Sequence, residues 1–418
     1  MTSPLAQPLT LPCGVVLANR IAKAAMSEGM ADAANHATPR LTELYRRWAG
    51  SGAGLLLSGN IQVDPWHLER PGNVVLEDES GLAALETLTA AARSGGAEIW
   101  AQLGHTGRQV SAAINPEPLS PSDVQLEVLR GAGLSFARPR AMTEAEIEDA
   151  VNRFAVSARL AIKAGFTGIA LHGAHGYLIS QFLSPLTNRR SDRWGGTLEK
   201  RARFPLAAIA AVRAVVGPAV PIGLKLNASD FLRGGFTHAE CLRVVGWLND
   251  STLDLLELSG GSMEQPKVVG VAVKDQGVDG ARESTAKREA YFIAFAGDVR
   301  RVARMPVMVT GGFRTRATME AALAAGELDV VGLGRPLIAD PLTPAKLLAG
   351  TIDRAQAPEV ALDLFDLLPW FNMQMERMGD GLDPDLTMTG AAAAAGFPAL
   401  EQGVTDALLR HRANRRAG

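Results

Sequence analysis

The sequence predicts an α/β chain built as one (β/α)8 barrel, with a lid-like insertion and a C-terminal helical extension. Two observations carry that expectation. Eight short runs rich in Val, Ile and Leu alternate with eight helix-like stretches, and each run ends in polar residues or glycine on its C-terminal side. The 418 residues leave room for two or three domains, but α/β barrels routinely use more than about 250 residues as one.

The apolar runs are residues 19–26, 54–60, 98–104, 168–173, 221–227, 253–259, 306–310 and 330–334. They are continuous rather than alternating, as suits strands covered on both faces of a parallel sheet. The helix-like stretches are 39–50, 81–95, 143–165, 198–216, 238–249, 285–304, 315–325 and 341–350. Thr143-Glu144-Ala145-Glu146 reads as a capping box and Gly165 as the stop of the helix it opens. The strand ends carry Ser27, Asn60, Gln102 with His105 beyond it, His172 with His175, and Lys225 with Asn227. The last three carry Ser259, Gly311-Gly312 and Gly334-Arg335. An open doubly wound sheet would match the count of strands, but a site at one barrel mouth requires this polar rim. The two glycine-rich ends, with bare N–H groups and a guanidinium, suit a phosphate group.

Three stretches fall outside the repeat. Residues 1–18 are expected under the barrel floor, and 106–142 is too long for a plain connection, so it is a candidate lid. The barrel then spans 1–350 and the extension 351–418. Within the extension, Phe365, Leu368, Trp370, Phe371, Met373 and Met375 form an apolar face that needs the barrel or another subunit as partner, which points to a homo-oligomer.

Composition narrows the function. Lys and Arg number 42 against 44 Asp and Glu, a balance that argues against nucleic acid or a charged membrane surface as partner. Two cysteines, Cys13 and Cys241, cannot build a disulfide framework or a cysteine-ligated cluster. No apolar run approaches a membrane span, and the first residues do not read as a secretion signal, so the cytoplasm is the expected compartment.

The richest segment is His172-Gly173-Ala174-His175-Gly176-Tyr177 at the fourth strand end. Two imidazoles here could clamp a developing oxyanion, each donor contributing on the order of 3 kcal/mol, with Tyr177 delivering a proton. A metal pair or two structural histidines are the alternatives, and strand one supplies no further ligand for a metal. Gln102 offers a donor and an acceptor to a heterocycle edge, and Lys225 lies in an apolar strand where a buried cation needs an anion. Either could instead be a satisfied core group. Together with the phosphate site they suggest a flavin mononucleotide (FMN).

These residues resemble the Old Yellow Enzyme family of NADH:flavin oxidoreductases. The similarity runs through Asn19-Arg20-Ile21, Ala101-Gln102-Leu103-Gly104-His105-Thr106-Gly107-Arg108, and His172 to Leu178. It continues through Gln181-Phe182-Leu183-Ser184-Pro185, Asn188 to Gly196, Gly311-Gly312-Phe313 and Gly334-Arg335-Pro336. The resemblance implies an FMN barrel that takes hydride from NADH or NADPH and reduces activated alkenes. It implies Ala24, Ala25, Met26 and Ser27 along the flavin, Asn60 and Gln102 at its pyrimidine part and Lys225 at its N1–C2 edge. Gly311, Gly312, Gly334 and Arg335 would take the phosphate, His172 and His175 the substrate's electron-withdrawing group, and Tyr177 the protonation. Ser27, Asn60 and Lys225 depart from the residues common in the family, and Gly29 lies where some members present an aromatic to the substrate.

No Gly-x-Gly-x-x-Gly opens a βαβ unit, so nicotinamide and oxidant are expected to share one mouth in turn. Rival readings are an oxidoreductase specialised for nitro compounds or quinones, a dienoyl-CoA reductase or amine dehydrogenase, a flavin-binding sensor, and a metal-dependent barrel hydrolase. The multidomain relatives carry a cysteine-ligated cluster, and this sequence has no cysteine after Cys241.

Overall fold

The structure, a computed structural model, describes residues 3–126, 135–261, 264, 273–274, 277–278 and 285–417. Its main sheet is a closed parallel barrel of β1 (Ile21–Lys23), β2 (Leu55–Gln62), β3 (Glu98–Gly104), β4 (Gly168–Gly173), β5 (Ile222–Asn227), β6 (Leu255–Ser259), β7 (Val307–Thr310) and β8 (Val330–Leu333). Closure comes from β1, which pairs with β8 on one side and β2 on the other. The short strand Val74–Val75 lies beside the upper end of β2.

Each strand is followed by its helix: α1 (Pro39–Ala49), α2 (Leu82–Arg93), α3 (Glu144–Lys163), α4 (Arg203–Val216), α5 (His238–Leu248), α6 (Thr285–Val302), α7 (Arg316–Ala324) and α8 (Thr343–Ala349). The capping box on α3 forms: Thr143 accepts from Glu146 N–H and the Glu146 side chain accepts from Thr143 N–H. Gly165 ends that turn in the left-handed region, at φ +89°. The stretch expected as one helix over 198–216 is two, Leu198–Arg201 and α4, joined at Ala202. Pro205 has no N–H to continue the ladder back to Arg201, so the helix restarts there.

Strand periodicity divides the barrel interior into levels. At the floor, Ala22, Leu55, Leu57, Trp100, Ala170, Leu255, Met308 and Val330 pack with Leu9, Leu11 and Leu17 of the N-terminal segment. That segment is an antiparallel hairpin, Leu9–Thr10 on Val16–Leu17. Trp100 fits because its neighbours on β4 and β5 have no side chains. A Cβ on Gly168 would lie 2.5 Å from the indole nitrogen, and one on Gly223 would lie 3.1 Å from the ring.

The C-terminal segment packs on the barrel through α9 (Leu367–Gly379), which buries Trp370, Phe371, Met375 and Met378. Arg40 of α1 bridges to Glu376 at 2.8 Å and to Asp380 at 2.6 Å. Phe365 and Leu368 stay exposed. A last helix, α10 (Gly390–Ala417), runs back over the barrel, and its Leu408 joins Leu68, Val75, Val110 and Ile114 in a satellite core. No helix among the described residues is long and apolar enough to cross a membrane.

Gly168→Ala should destabilise the fold by about 1–3 kcal/mol, the usual cost of overpacking a filled core, with little change in the urea m-value. Urea unfolding of the variant beside wild type measures it.

Candidate active site

The inward positions one step above the floor are polar on successive strands. Gln102 follows Trp100 on β3, His172 follows Ala170 on β4, Lys225 follows Gly223 on β5, Glu257 follows Leu255 on β6, and Thr310 follows Met308 on β7. The register sets His172, Lys225 and Glu257 directly beside one another. Lys225 Nζ lies 3.0 Å from Glu257 Oε1, with both side chains buried, and Thr310 donates to the same oxygen at 2.6 Å. The anion that a buried Lys225 demands is therefore supplied within the chain. Glu257 carried the same signal as Lys225, a charge inside an apolar strand, and the sequence reading missed it.

On the other side a hydrogen-bonded row crosses β1, β2 and β3. Gln102 Nε2 donates to Asn60 Oδ1 at 2.7 Å, and Asn60 Nδ2 reaches Ser27 Oγ at 3.3 Å. A break in the β2–β3 register after Leu57 makes this possible by bringing Asn60 opposite Gln102. Gly59 at the break leaves no room for a Cβ, which would lie 1.7 Å from Glu28 Oε2. Gln102 Oε1 is buried without a partner. Ala24 still bonds to Leu333 O through its N–H at 2.8 Å, after which Ala25, Met26 and Ser27 leave the ladder and line the mouth half-exposed.

His172, His175 and Tyr177 come together at the end of β4. The His172 ring stands edge-on to His175 at 5.1 Å and to Tyr177 at 4.7 Å between centroids. His172 Nδ1 accepts from Ala174 N–H at 3.3 Å, which leaves its Nε2 as the donor. His175 has its backbone in the left-handed region, at φ +60°, unusual for a side-chain-bearing residue and a mark of functional constraint. Asn227 Oδ1 accepts its N–H at 3.1 Å, and its ring Nε2 meets Ser259 Oγ at 2.7 Å. For His175 to donate into the mouth from Nδ1, Ser259 must be the donor of that pair. Both histidines are neutral. Burial lowers His172 well below the ordinary imidazole value, with His175 and Lys225 adding to the effect, and burial followed by Lys225 lowers His175 to about 3. Burial, followed by the neighbouring Glu69 carboxylate, pushes the Tyr177 phenol well above its usual value, so it stays protonated.

Glu69 is the residue least visible in the sequence. It lies in the connection after β2, where no strand or helix period marks it. Its Oε2 accepts from Ser27 Oγ at 2.6 Å and from the Asn60 amide, and its charge is near enough to Tyr177 to raise the phenol. The adjacent Arg70 points away, donating to Ser27 O at 2.9 Å and Glu28 O at 3.2 Å while pairing with Glu401 of α10 at 2.6 Å. Asn372 of α9 also binds that guanidinium. Gly29 faces Arg70 as well, at φ +68°, and a Cβ there would lie 2.5 Å from its Cζ. A side chain at position 29 would have to displace that guanidinium.

Gly311 and Gly312 follow β7 in the left-handed half of backbone space, at φ 135° and 80°, and Gly334-Arg335 follow on the neighbouring β8. Arg335 is stacked over Phe371 of α9 at 5.7 Å.

Beside the mouth, Asp64, His67 and His105 converge closely enough to hold a metal ion. Their outward nitrogens argue otherwise. His67 Nε2 accepts from Leu119 N–H at 2.9 Å and His105 Nδ1 from Gly107 N–H at 3.0 Å. In the neutral rings the protons therefore sit on the inward nitrogens, facing Asp64, whereas a ligating imidazole donates outward. The trio pins the ends of β2 and β3.

A closed parallel barrel with an imidazole pair, a phenol, a fixed cation and a glycine cradle at its C-terminal mouth defines the oxidoreductase class of barrel. The chain matches the model of the NADH:flavin oxidoreductase / NADH oxidase family over residues 4–353. It belongs to that family, and its structural likeness is to the Old Yellow Enzyme type. The "NADH-dependent flavin oxidoreductase nadA" of Aspergillus parasiticus is 36% identical over 94% of this chain and 89% of the relative. The iliE protein of Neonectria sp. is also 36% identical over 85% of this chain, which spans about half of that longer relative, 48%. An old yellow enzyme homologue from Zymomonas mobilis superposes with a TM-score of 0.71 at 25% identity, covering 85% of this chain and 95% of that one. Morphinone reductase in complex with tetrahydroNAD gives 0.69 at 25%, over 85% and 93%.

Below about pH 6.5 the unfolded chain takes up a proton at His172 that the folded protein refuses, so this residue makes stability fall with acid. His172→Asn should flatten the fall in unfolding free energy between pH 6.5 and 5 by up to about 1.4 kcal/mol per pH unit. Urea titrations of both proteins at three pH values check this.

Proposed function

We propose that the protein is an FMN-dependent ene-reductase that takes hydride from NADH or NADPH and reduces alkenes conjugated to a carbonyl or similar acceptor. The observation that carries this reading is the His172–Tyr177 pair, with ring centroids 4.7 Å apart, a donor and an acid at one edge of the mouth. Family membership supports the flavin and the nicotinamide.

The residues present fit FMN. The orphaned Gln102 Oε1 is an acceptor without a donor, as the edge of a uracil-like ring would supply. Ser27, Asn60 and Gln102 would hold that edge, with Ala24, Ala25 and Met26 along the ring. Gly311, Gly312, Gly334 and Arg335 would hold the phosphate, and Lys225, paired with Glu257, would face the N1–C2 side. When bound, the flavin supplies two-electron chemistry, receiving hydride from the nicotinamide and passing it to the alkene.

The protein's own part is orientation and proton delivery. His172 Nε2–H and His175 Nδ1–H polarise the acceptor oxygen, and because both rings are neutral they donate without titrating near neutral pH. With Ser259 donating to His175 Nε2, the ring proton sits on Nδ1. Tyr177 holds its proton until negative charge builds at the α-carbon, then transfers it there. Nicotinamide and oxidant use one mouth by turns, which gives ping-pong kinetics. A quinone or nitro oxidant would use the same donors.

Visible absorption of the purified protein tests the reading. A flavin spectrum should bleach under anaerobic NAD(P)H and recover on adding cyclohexenone, and a colourless protein that takes up no FMN would overturn it. Tyr177→Phe should slow that recovery by about 10²–10⁴ while leaving the bleaching rate near wild type, measured by stopped flow.

A further inference from the structure

We propose that Glu69 is the charge-selecting residue of the substrate pocket, favouring oxidants that carry a protonated amine and disfavouring carboxylates. The inference deepens the function proposed above and rests on Tyr177 as the proton donor. A carboxylate held by Ser27 on the rim of the mouth, and near enough to Tyr177 to raise its phenol, borders the space into which Tyr177 would deliver its proton.

Apart from Arg335, which the phosphate would take, the charges around the mouth are balanced. Lys225 is paired with Glu257, and Arg108 with Glu264 at 2.6 Å. Arg70 is committed to Glu401 and to backbone carbonyls. His172 and His175 are neutral. Among the described residues, no cation pairs with Glu69; its hydrogen-bond partners are Ser27 and Asn60, both uncharged donors. Neutral donors hold a carboxylate's charge in place without cancelling it, and a half-buried site screens it less than water does.

The pocket therefore presents one uncompensated negative charge to an incoming molecule. An ammonium group beside the alkene would supply the missing counter-charge. A carboxylate at the same place would meet a like charge in a partly desolvated setting.

Three cyclic enones of matched shape test the proposal, one neutral, one bearing an ammonium group and one bearing a carboxylate. Their saturated ketones serve as unreactive ligands whose dissociation constants are read calorimetrically. Wild type should bind and reduce the ammonium compound about tenfold or more better than the carboxylate, a ratio equivalent to about 1.4 kcal/mol. Glu69→Gln, checked for equal FMN content, should bring the two within about threefold, and Glu69→Asp should keep the wild-type order. Equal binding of both ions by wild type, or a preference that survives in Glu69→Gln, would overturn the proposal. Absence of turnover with all three enones would count against the ene-reductase reading, while the binding constants would still decide the role of Glu69.

Discussion

Trp100 sets the height of everything chemical in this barrel. Its indole fills the interior at the floor only because β4 and β5 present glycine to it, at Gly168 and Gly223. Once that level is filled, strand periodicity leaves the next inward positions facing a space open only at the top. Gln102, His172, Lys225, Glu257 and Thr310 occupy those positions, each two residues beyond a floor residue on its own strand. The floor and the site are thus one packing pattern read at two heights. A change in how the indole seats would be felt both in the Gln102–Asn60 row and at the imidazole edge.

The polar level is self-consistent before anything binds. The Lys225–Glu257 pair is buried, and Thr310 donates a hydrogen bond to the same Glu257 oxygen. A buried ion pair is at best weakly stabilising, because desolvation offsets much of the attraction. Its value here is positional: it fixes a cation at one height beside two imidazoles and helps keep both uncharged. The left-handed backbone at His175 has the same character, being held by Asn227 on one side and Ser259 on the other.

Much of this was legible in the sequence, and the limits are physical. Strands two to eight announce themselves as apolar runs with polar ends. The first is shorter than its run, because after Lys23 the chain leaves the ladder and Ala25 to Ser27 trade sheet bonds for a place on the rim. His172, His175 and Tyr177 lie in one short segment, so their proximity follows from the chain itself. The need of Lys225 for an anion is readable in the sequence, while the choice of Glu257 as that anion depends on the register of β5 and β6. Glu69 was out of reach. It sits in an aperiodic connection, held by Ser27 and Asn60, and its neighbour Arg70 is anchored by Asn372 and Glu401, more than 300 residues later in the sequence.

That last tie bears on the order in which the molecule is made. During synthesis β8 emerges before α10, so the barrel can close while the helix that supplies Glu401 is still inside the ribosome. Until then Arg70 lacks its carboxylate, and Leu68, Val110 and Ile114 lack the cover of Leu408. The loop bearing Glu69 is therefore the last part of the mouth to be locked. A nascent chain would acquire its scaffold first and its full set of site contacts only once α10 has been made.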